Sequence, residues 1–201
     1  MSEEATEGKP GVGRIEAFSD GVLAIIVTIM VLELHAPAQP GLDKLLPLWP
    51  VFLAYALSFA YVGIYWANHH RLFSHAKAVT NALVWLNLGL LFALSLIPFT
   101  TAYLGEQHFS RDGTLVYLAS MIFPGIFYVP LQHVIRITGV QGNEAETYHR
   151  QTSRKGVAAV LVYVAGAGFS FVSPWLGIAA AAIVAILWCL PKSPLDALFG
   201  D

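Results

Sequence analysis

Charged residues are scarce in this chain. Asp, Glu, Lys and Arg make up 12% of 201 residues, where a soluble domain carries about 25%. The charge is missing from long continuous stretches, and 56% of the chain is hydrophobic, with mean hydropathy +0.62. That is the pattern of a chain whose solvent is lipid. The formal net charge of -2, with no Arg/Lys stripe interleaved with aromatics, argues against a nucleic-acid partner. Cysteine is nearly absent. Cys189 stands alone in an apolar run, which excludes an internal disulfide and gives no metal-ligand spacing. It reads as a small packing residue. The first ten residues hold Glu3, Glu4 and Glu7 and no early basic cluster. A cleaved signal peptide needs such a cluster, so the first apolar run is expected to remain as a membrane helix.

A spanning helix takes about 20 apolar residues. Four runs meet that length, at approximately 17–35, 46–68, 79–105 and 112–136. Residues 156–191 are also uncharged, but one helix of that length would reach about 54 Å, against a hydrocarbon core of about 30 Å. Pro174 lacks an N–H and disfavours helix at Ser173, and Trp175 suits an interface. Two short spans, 156–172 and 174–191, are therefore expected. The reading is an all-α, polytopic membrane protein with six transmembrane helices in one domain over 1–201.

The basic residues sort with this count. Even spans put both termini, the 2–3 loop and the 4–5 loop on one side. That side holds Lys9, Arg14, Arg71, Lys77, Arg136, Arg150, Arg154, Lys155 and Lys192. The opposite loops hold Lys44 and Arg111. Basic loops stay in the cytoplasm, so both termini are expected there, in a multi-pass protein of the cell membrane. The long polar loop from about 138 to 155 is read as a turn at Gly139, Gly142 and Asn143 followed by a short surface helix.

Polar chemistry gathers at the entrance of the first helix, in Arg14-Ile15-Glu16-Ala17-Phe18-Ser19-Asp20. An ionised carboxylate at a bilayer boundary is costly unless paired. Ser19 and Asp20 read either as helix caps or as members of a side-chain network. On the expected topology, the end of the second span (Trp66, His69, His70) and the start of the third (Asn81, Trp85, Asn87) reach the same depth as Asp20. Three readings of the His pair remain open: a wet interfacial cap, a hydrogen-bonded lock to Ser19 and Asp20, or a metal site. The last has no carboxylate–His spacing behind it, and no metal or cofactor is expected beyond a permeating ion.

Here the chain resembles a known family. Arg14-x-x-x-Phe18-Ser19-Asp20 is similar to the signature of the transmembrane protein 175 potassium channels. Phe59-x-x-Val62-x-x-Tyr65-Trp66-x-x-His69-His70 resembles that family's second helix. Trp85-x-Asn87-Leu88 and Leu96-x-Pro98-Phe99 resemble its third. The resemblance is strong over about 14–101, while the last three spans match only in number and hydropathy. It implies six helices per repeat and, for a single-repeat chain, a homotetramer in the bilayer whose first helices line a central path for potassium. The family lacks the Thr-Val-Gly-Tyr-Gly loop of ordinary potassium channels, and so does this sequence. The resemblance implies a constriction at Ile25, Thr28 and Leu32, with Gly21, Ile29 and Glu33 beside it. These share a stripe at helical spacing, where an apolar ring can dewet a pore. Without the resemblance, the same stripe reads as an ordinary lipid-facing or core helix.

Two other classes compete. A secondary transporter wants broken helices and ionisable groups near the midplane; the mid-span residues are uncharged, although Pro124 and Pro130 could kink the fourth span. An intramembrane enzyme could use Asp20, His69 and His70, but no nucleophile–base pair accompanies them.

Overall fold

The computed structural model describes residues 10–189, all helix and turn. The helices are α1 (Pro10–Leu32), α2 (Trp49–Ser74), α3 (Asn81–Ser95), α4 (Ile97–Glu106), α5 (Arg111–Ile122), α6 (Gly125–Thr138), α7 (Asn143–Phe169) and α8 (Pro174–Cys189). Two short 3-10 turns, Leu42–Lys44 and Leu46–Leu48, lead into α2. The stretches Gly11–Leu32, Leu42–Ser74, Asn81–Glu106 and Arg111–Thr138 are long and apolar enough to cross a membrane, and Pro174–Cys189 is a shorter apolar helix. The six expected spans correspond to α1, α2, α3 with α4, α5 with α6, α7, and α8. The final two positions of the sixth span, with Lys9 and Lys192, lie outside the described residues.

Three departures have physical causes. The third span is not one rod: it breaks at Leu96, because Pro98 in the first turn of α4 has no N–H to continue the ladder. The fourth breaks at Phe123 and Pro124 for the same reason, while Pro130 is carried inside α6. The 4–5 connection does not end in a separate surface helix. Helix α7 runs unbroken from Asn143 into the expected fifth span because Ala145, Tyr148, His149 and Thr152 form a buried stripe against the bundle. The turn expected at Ser173 and Pro174 is present, between α7 and α8.

Local signals start the helices. Thr80 Oγ1 accepts from Leu83 N at 3.1 Å and Ser110 Oγ accepts from Gly113 N at 3.1 Å. Pro50 and Pro174 occupy first turns, where no N–H is needed. Helices α7 and α8 pack closely because Gly166 faces Ala180, whose Cβ would lie 2.6 Å from an added methyl. The core is apolar, with Leu83, Leu90, Leu94, Ile97, Leu104, Leu118, Leu131 and Ile135 fully buried.

Each end of the bundle is fastened differently. At the end carrying Lys44 and Arg111, Trp49, Phe109 and Trp175 stack with centroids 4.9–5.9 Å apart, an arrangement suited to the lipid–water boundary. Phe109 reaches it from a left-handed backbone (φ 57°), beside His108 at φ 48°. Mid-bundle, at the break in the third span, hydroxyls meet. Thr101 Oγ1 is shared between Ser58 Oγ (2.6 Å) and the Ile97 carbonyl (2.7 Å), and Ser58 Oγ lies 2.9 Å from the Tyr117 hydroxyl. At the basic end, Val140 N donates to the His75 carbonyl at 2.8 Å. His75 stacks on Tyr148 at 5.0 Å, and Arg136 grips Glu146 through two nitrogens.

Candidate permeation helix and its polar anchor

Helix α1 has two unlike faces. Val12, Ser19, Leu23, Ile26 and Met30 are buried, packed toward α2, α3 and α4. Arg14, Phe18, Gly21, Ile25, Thr28, Ile29 and Leu32 are exposed. At 3.6 residues per turn these sets lie on opposite sides of the helix. The contrast is sharp between neighbours: Ile25 is 58% exposed and Ile26 3%, and Leu32 is 71% exposed while Met30 is 1%. A methyl added at Gly21 would meet nothing within 4 Å. Thr28 Oγ1 donates to the Ile25 carbonyl at 2.9 Å. Its single proton is thus spent on the backbone, leaving the oxygen's lone pairs as acceptors. Glu33 is half-buried just past the last turn.

The polar end of α1 is anchored by three bonds to other helices. Ser19, fully buried, donates to the Ile15 carbonyl at 2.9 Å and accepts from Asn87 Nδ2 at 2.9 Å. With its amide nitrogen donating, Asn87 Oδ1 accepts from His69 Nε2 at 2.8 Å. That assigns the His69 proton to Nε2; Nδ1 is buried without a partner. The His69 ring also stacks on Phe73 at 4.2 Å. Beside this chain, Trp66 Nε1 donates to Asp20 Oδ1 at 3.0 Å, and His70 Nδ1 donates to Glu16 Oε1 at 2.7 Å.

The expected polar layer therefore splits into three separate contacts. His69 reaches Ser19 only through Asn87. Asp20 pairs with Trp66, and His70 with Glu16. Asn81 takes no part; it stands exposed in the first turn of α3, nearly two turns from Asn87. Trp85 projects outward at 72% exposure. The hub, Asn87, lies on the buried face of α3 with Leu83, Leu90 and Leu94, and a polar residue on a helix's apolar stripe is the signal that singles it out.

Residues 14–98 match the family described as the endosomal/lysosomal potassium channel TMEM175. A potassium channel of Chryseobacterium sp. (strain P1-3) is 43% identical over 185 residues, covering 92% of this chain and 95% of that one. The chain belongs to the TMEM175 family. TMEM175 proteins are ion channels, so this one is a multi-pass membrane channel protein and not an enzyme. A potassium channel of Streptomyces collinus is 33% identical over 193 residues, covering 91% of this chain and 94% of that one. The crystal structure of a lysosomal potassium-selective channel TMEM175 homolog from Chamaesiphon minutus superposes with a TM-score of 0.80 at 30% identity, over 90% of this chain and 97% of that one. Human TMEM175, named an endosomal/lysosomal proton channel, is 32% identical over 143 residues, 60% of this chain and 28% of its own length.

Proposed function

We propose that this chain is one subunit of a potassium-selective channel, a homotetramer in the cell membrane whose α1 helices surround a central path. The observation that carries this reading is the unpartnered stripe Gly21, Ile25, Thr28, Leu32 on the helix that bears the family signature. A single six-helix subunit has too few polar residues within the membrane to line an aqueous route, so several copies must supply it. In that arrangement four Ile25 side chains narrow and dry the path, since a narrow apolar gap cannot replace an ion's hydration shell. Four Thr28 oxygens offer partial negative charge to a dehydrating potassium ion, and Glu33, at the wider mouth, concentrates cations. The anchor of Ser19, Asn87 and His69 sets the rotation of α1, and so which stripe faces inward. The basic loops and both termini face the cytoplasm.

Bacterial relatives named potassium channels and a human relative named a proton channel divide the selectivity question between two ions. Purified protein in liposomes with a potassium gradient separates the readings. Potassium flux without pH change supports this proposal. Acidification without potassium flux makes it a proton path, and flux coupled to another solute makes it a carrier.

A further inference from the structure

At the basic-loop end, the corner between α6 and α7 is fastened onto the end of α2. The Val140 amide donates to the His75 carbonyl at 2.8 Å, and the Tyr148 hydroxyl donates to the Asn68 carbonyl at 3.3 Å. Gly139 is packed so tightly here that an added methyl would strike the His75 carbonyl. Gln132 Nε2 of α6 donates to the His149 carbonyl at 3.1 Å, and Ser153 Oγ of α7 donates to Gln132 Oε1 at 3.0 Å. The corner and the first turns of α7 therefore dock as one unit. They grip α2 within the stretch that anchors α1. Asn68 stands between Trp66, which bonds Asp20, and the His69–His70 pair, which bond Asn87 and Glu16.

Inside this unit sits a side chain at odds with its surroundings. His149 is 3% exposed, and neither ring nitrogen has a hydrogen-bond partner. A neutral imidazole carries one N–H and one acceptor, so docked His149 leaves both unmet, and the water of an undocked state meets them. Ring packing holds it in place: its centroid lies 5.6 Å from that of His75 and 5.4 Å from that of Tyr148. The charged and titratable groups facing it are His75 from the α2–α3 connection, Arg136 from α6, and Glu146 and Tyr148 from α7 itself. Glu146 is already held by Arg136 through two nitrogens, and His75 Nδ1 donates to the Arg71 carbonyl. The Arg71 guanidinium lies 4.8 Å over the Tyr148 ring. Burial, with His75 and Arg136 beside it, holds the His149 pKa below the ordinary value against the pull of Glu146.

We propose that the α6–α7 corner is an acid-operated latch: protonation of His149 from the basic-loop side frees the first turns of α7 from α2 and loosens the stretch of α2 that anchors α1. The docked ring resists the proton, while the undocked ring, in water, takes it near the ordinary value of about 6.5. Docking is therefore firm above that value and weakens as pH falls toward the docked one. With one imidazole protonated only when undocked, the undocked fraction rises about tenfold between about pH 7.5 and 5.5. The latch holds whatever α1 conducts; only its effect on current rests on α1 being the permeation helix.

Hydrogen–deuterium exchange of the full-length protein in detergent, corrected for the pH dependence of chemical exchange, reads the latch directly. Exchange over 143–152 rises about tenfold across that pH interval, exchange over 66–74 rises with it by a smaller factor, and the centre of α3 is unchanged. His149→Gln removes both rises. Should the Gln variant not fold, His149→Phe, which keeps a flat ring against His75 and Tyr148, makes the same comparison. His133→Gln, at an exposed histidine of α6, keeps both rises. In patches with pH set at one face at a time, acid at the basic-loop face lowers the potassium current of the parent and not of the His149 variant. Exchange over 143–152 that ignores pH overturns the proposal, as does a rise that survives in both His149 variants or disappears in His133→Gln. A rise at the corner while 66–74 stays fixed overturns the link to α1, and so does a current unmoved by acid when both segments have loosened. A parent without potassium current at any pH fails the channel reading alone, and the exchange result then decides the latch.

Discussion

Asn87 Nδ2 donates to Ser19 Oγ across 2.9 Å, joining α3 to α1, and both residues are buried. The other end of the same amide accepts from His69 of α2, so one side chain ties three helices at a fixed rotation.

The cost of cutting this tie depends on what is left behind. Asn87→Leu strands His69 Nε2 in an apolar site, and an unsatisfied buried polar group costs about 1–3 kcal/mol. Ser19→Ala loses the same tie from its other end and leaves the buried Asn87 amide N–H without its acceptor, a cost of the same order. Thermal unfolding of the solubilised protein should therefore show both variants clearly less stable than the parent. A double-mutant cycle should show coupling between them; strictly additive losses would mean the bond contributes nothing.

Asp20 belongs to the packing of α1 on α2, through Trp66. Asp20→Asn keeps an oxygen acceptor for the indole N–H and should assemble normally. Asp20→Ala should reduce the yield of intact oligomer on size-exclusion chromatography without changing ion preference in the protein that survives. An intact oligomer with altered preference would make Asp20 a permeation residue.

Neighbouring substitutions on α1 should behave oppositely. Ile25→Asn places an amide on the 58%-exposed face; it should wet the constriction, raising conductance and lowering potassium-over-sodium preference. Thr28→Ala should lower preference more than expression. Ile26→Asn buries an amide at a 3%-exposed position and should cost folding instead. Reversal potentials in planar bilayers read all three. Unchanged permeation in Ile25→Asn, with altered permeation in Ile26→Asn, would put the pore on the other face.

His149 lies outside the spanning segments, in the polar half of α7, buried with neither ring nitrogen partnered. Burial holds its pKa below the ordinary value, helped by His75 and Arg136 and opposed by Glu146. A lowered folded-state pKa gives stability that is full above about pH 6.5 and is lost as pH falls toward the folded value, because only the unfolded chain takes up the proton readily. Melting temperature should drop through mildly acidic pH, and His149→Gln should flatten that slope. An equal slope in the variant would assign the acid sensitivity elsewhere.

Orientation is read directly by labelling. In a Cys189→Ser background, single cysteines at Gln39 and Gln141, both exposed, should react with an impermeant reagent from opposite sides of sealed cells. Reaction from the same side would remove the six-span topology.

Composition and hydropathy alone determined that this is a helical membrane protein, and the Ser173-Pro174 step determined that its last apolar run is two helices. Those properties follow from the cost of burying charge or an unmatched backbone group in lipid, which acts residue by residue. Breaks in the third and fourth spans are visible in the same way once Pro98 and Pro124 are weighed as missing donors. Partner choice was not legible. Asn81 and Asn87 are the same side chain six residues apart on one helix, and only the rotation of α3 against α1 decides that Asn87 meets Ser19 while Asn81 faces outward. Likewise, Ile25 and Ile26 are chemically identical. Which of them stands free is settled by the packing of α1 on α2, α3 and α4, because at about 100° per residue a helix gives adjacent positions to different neighbours.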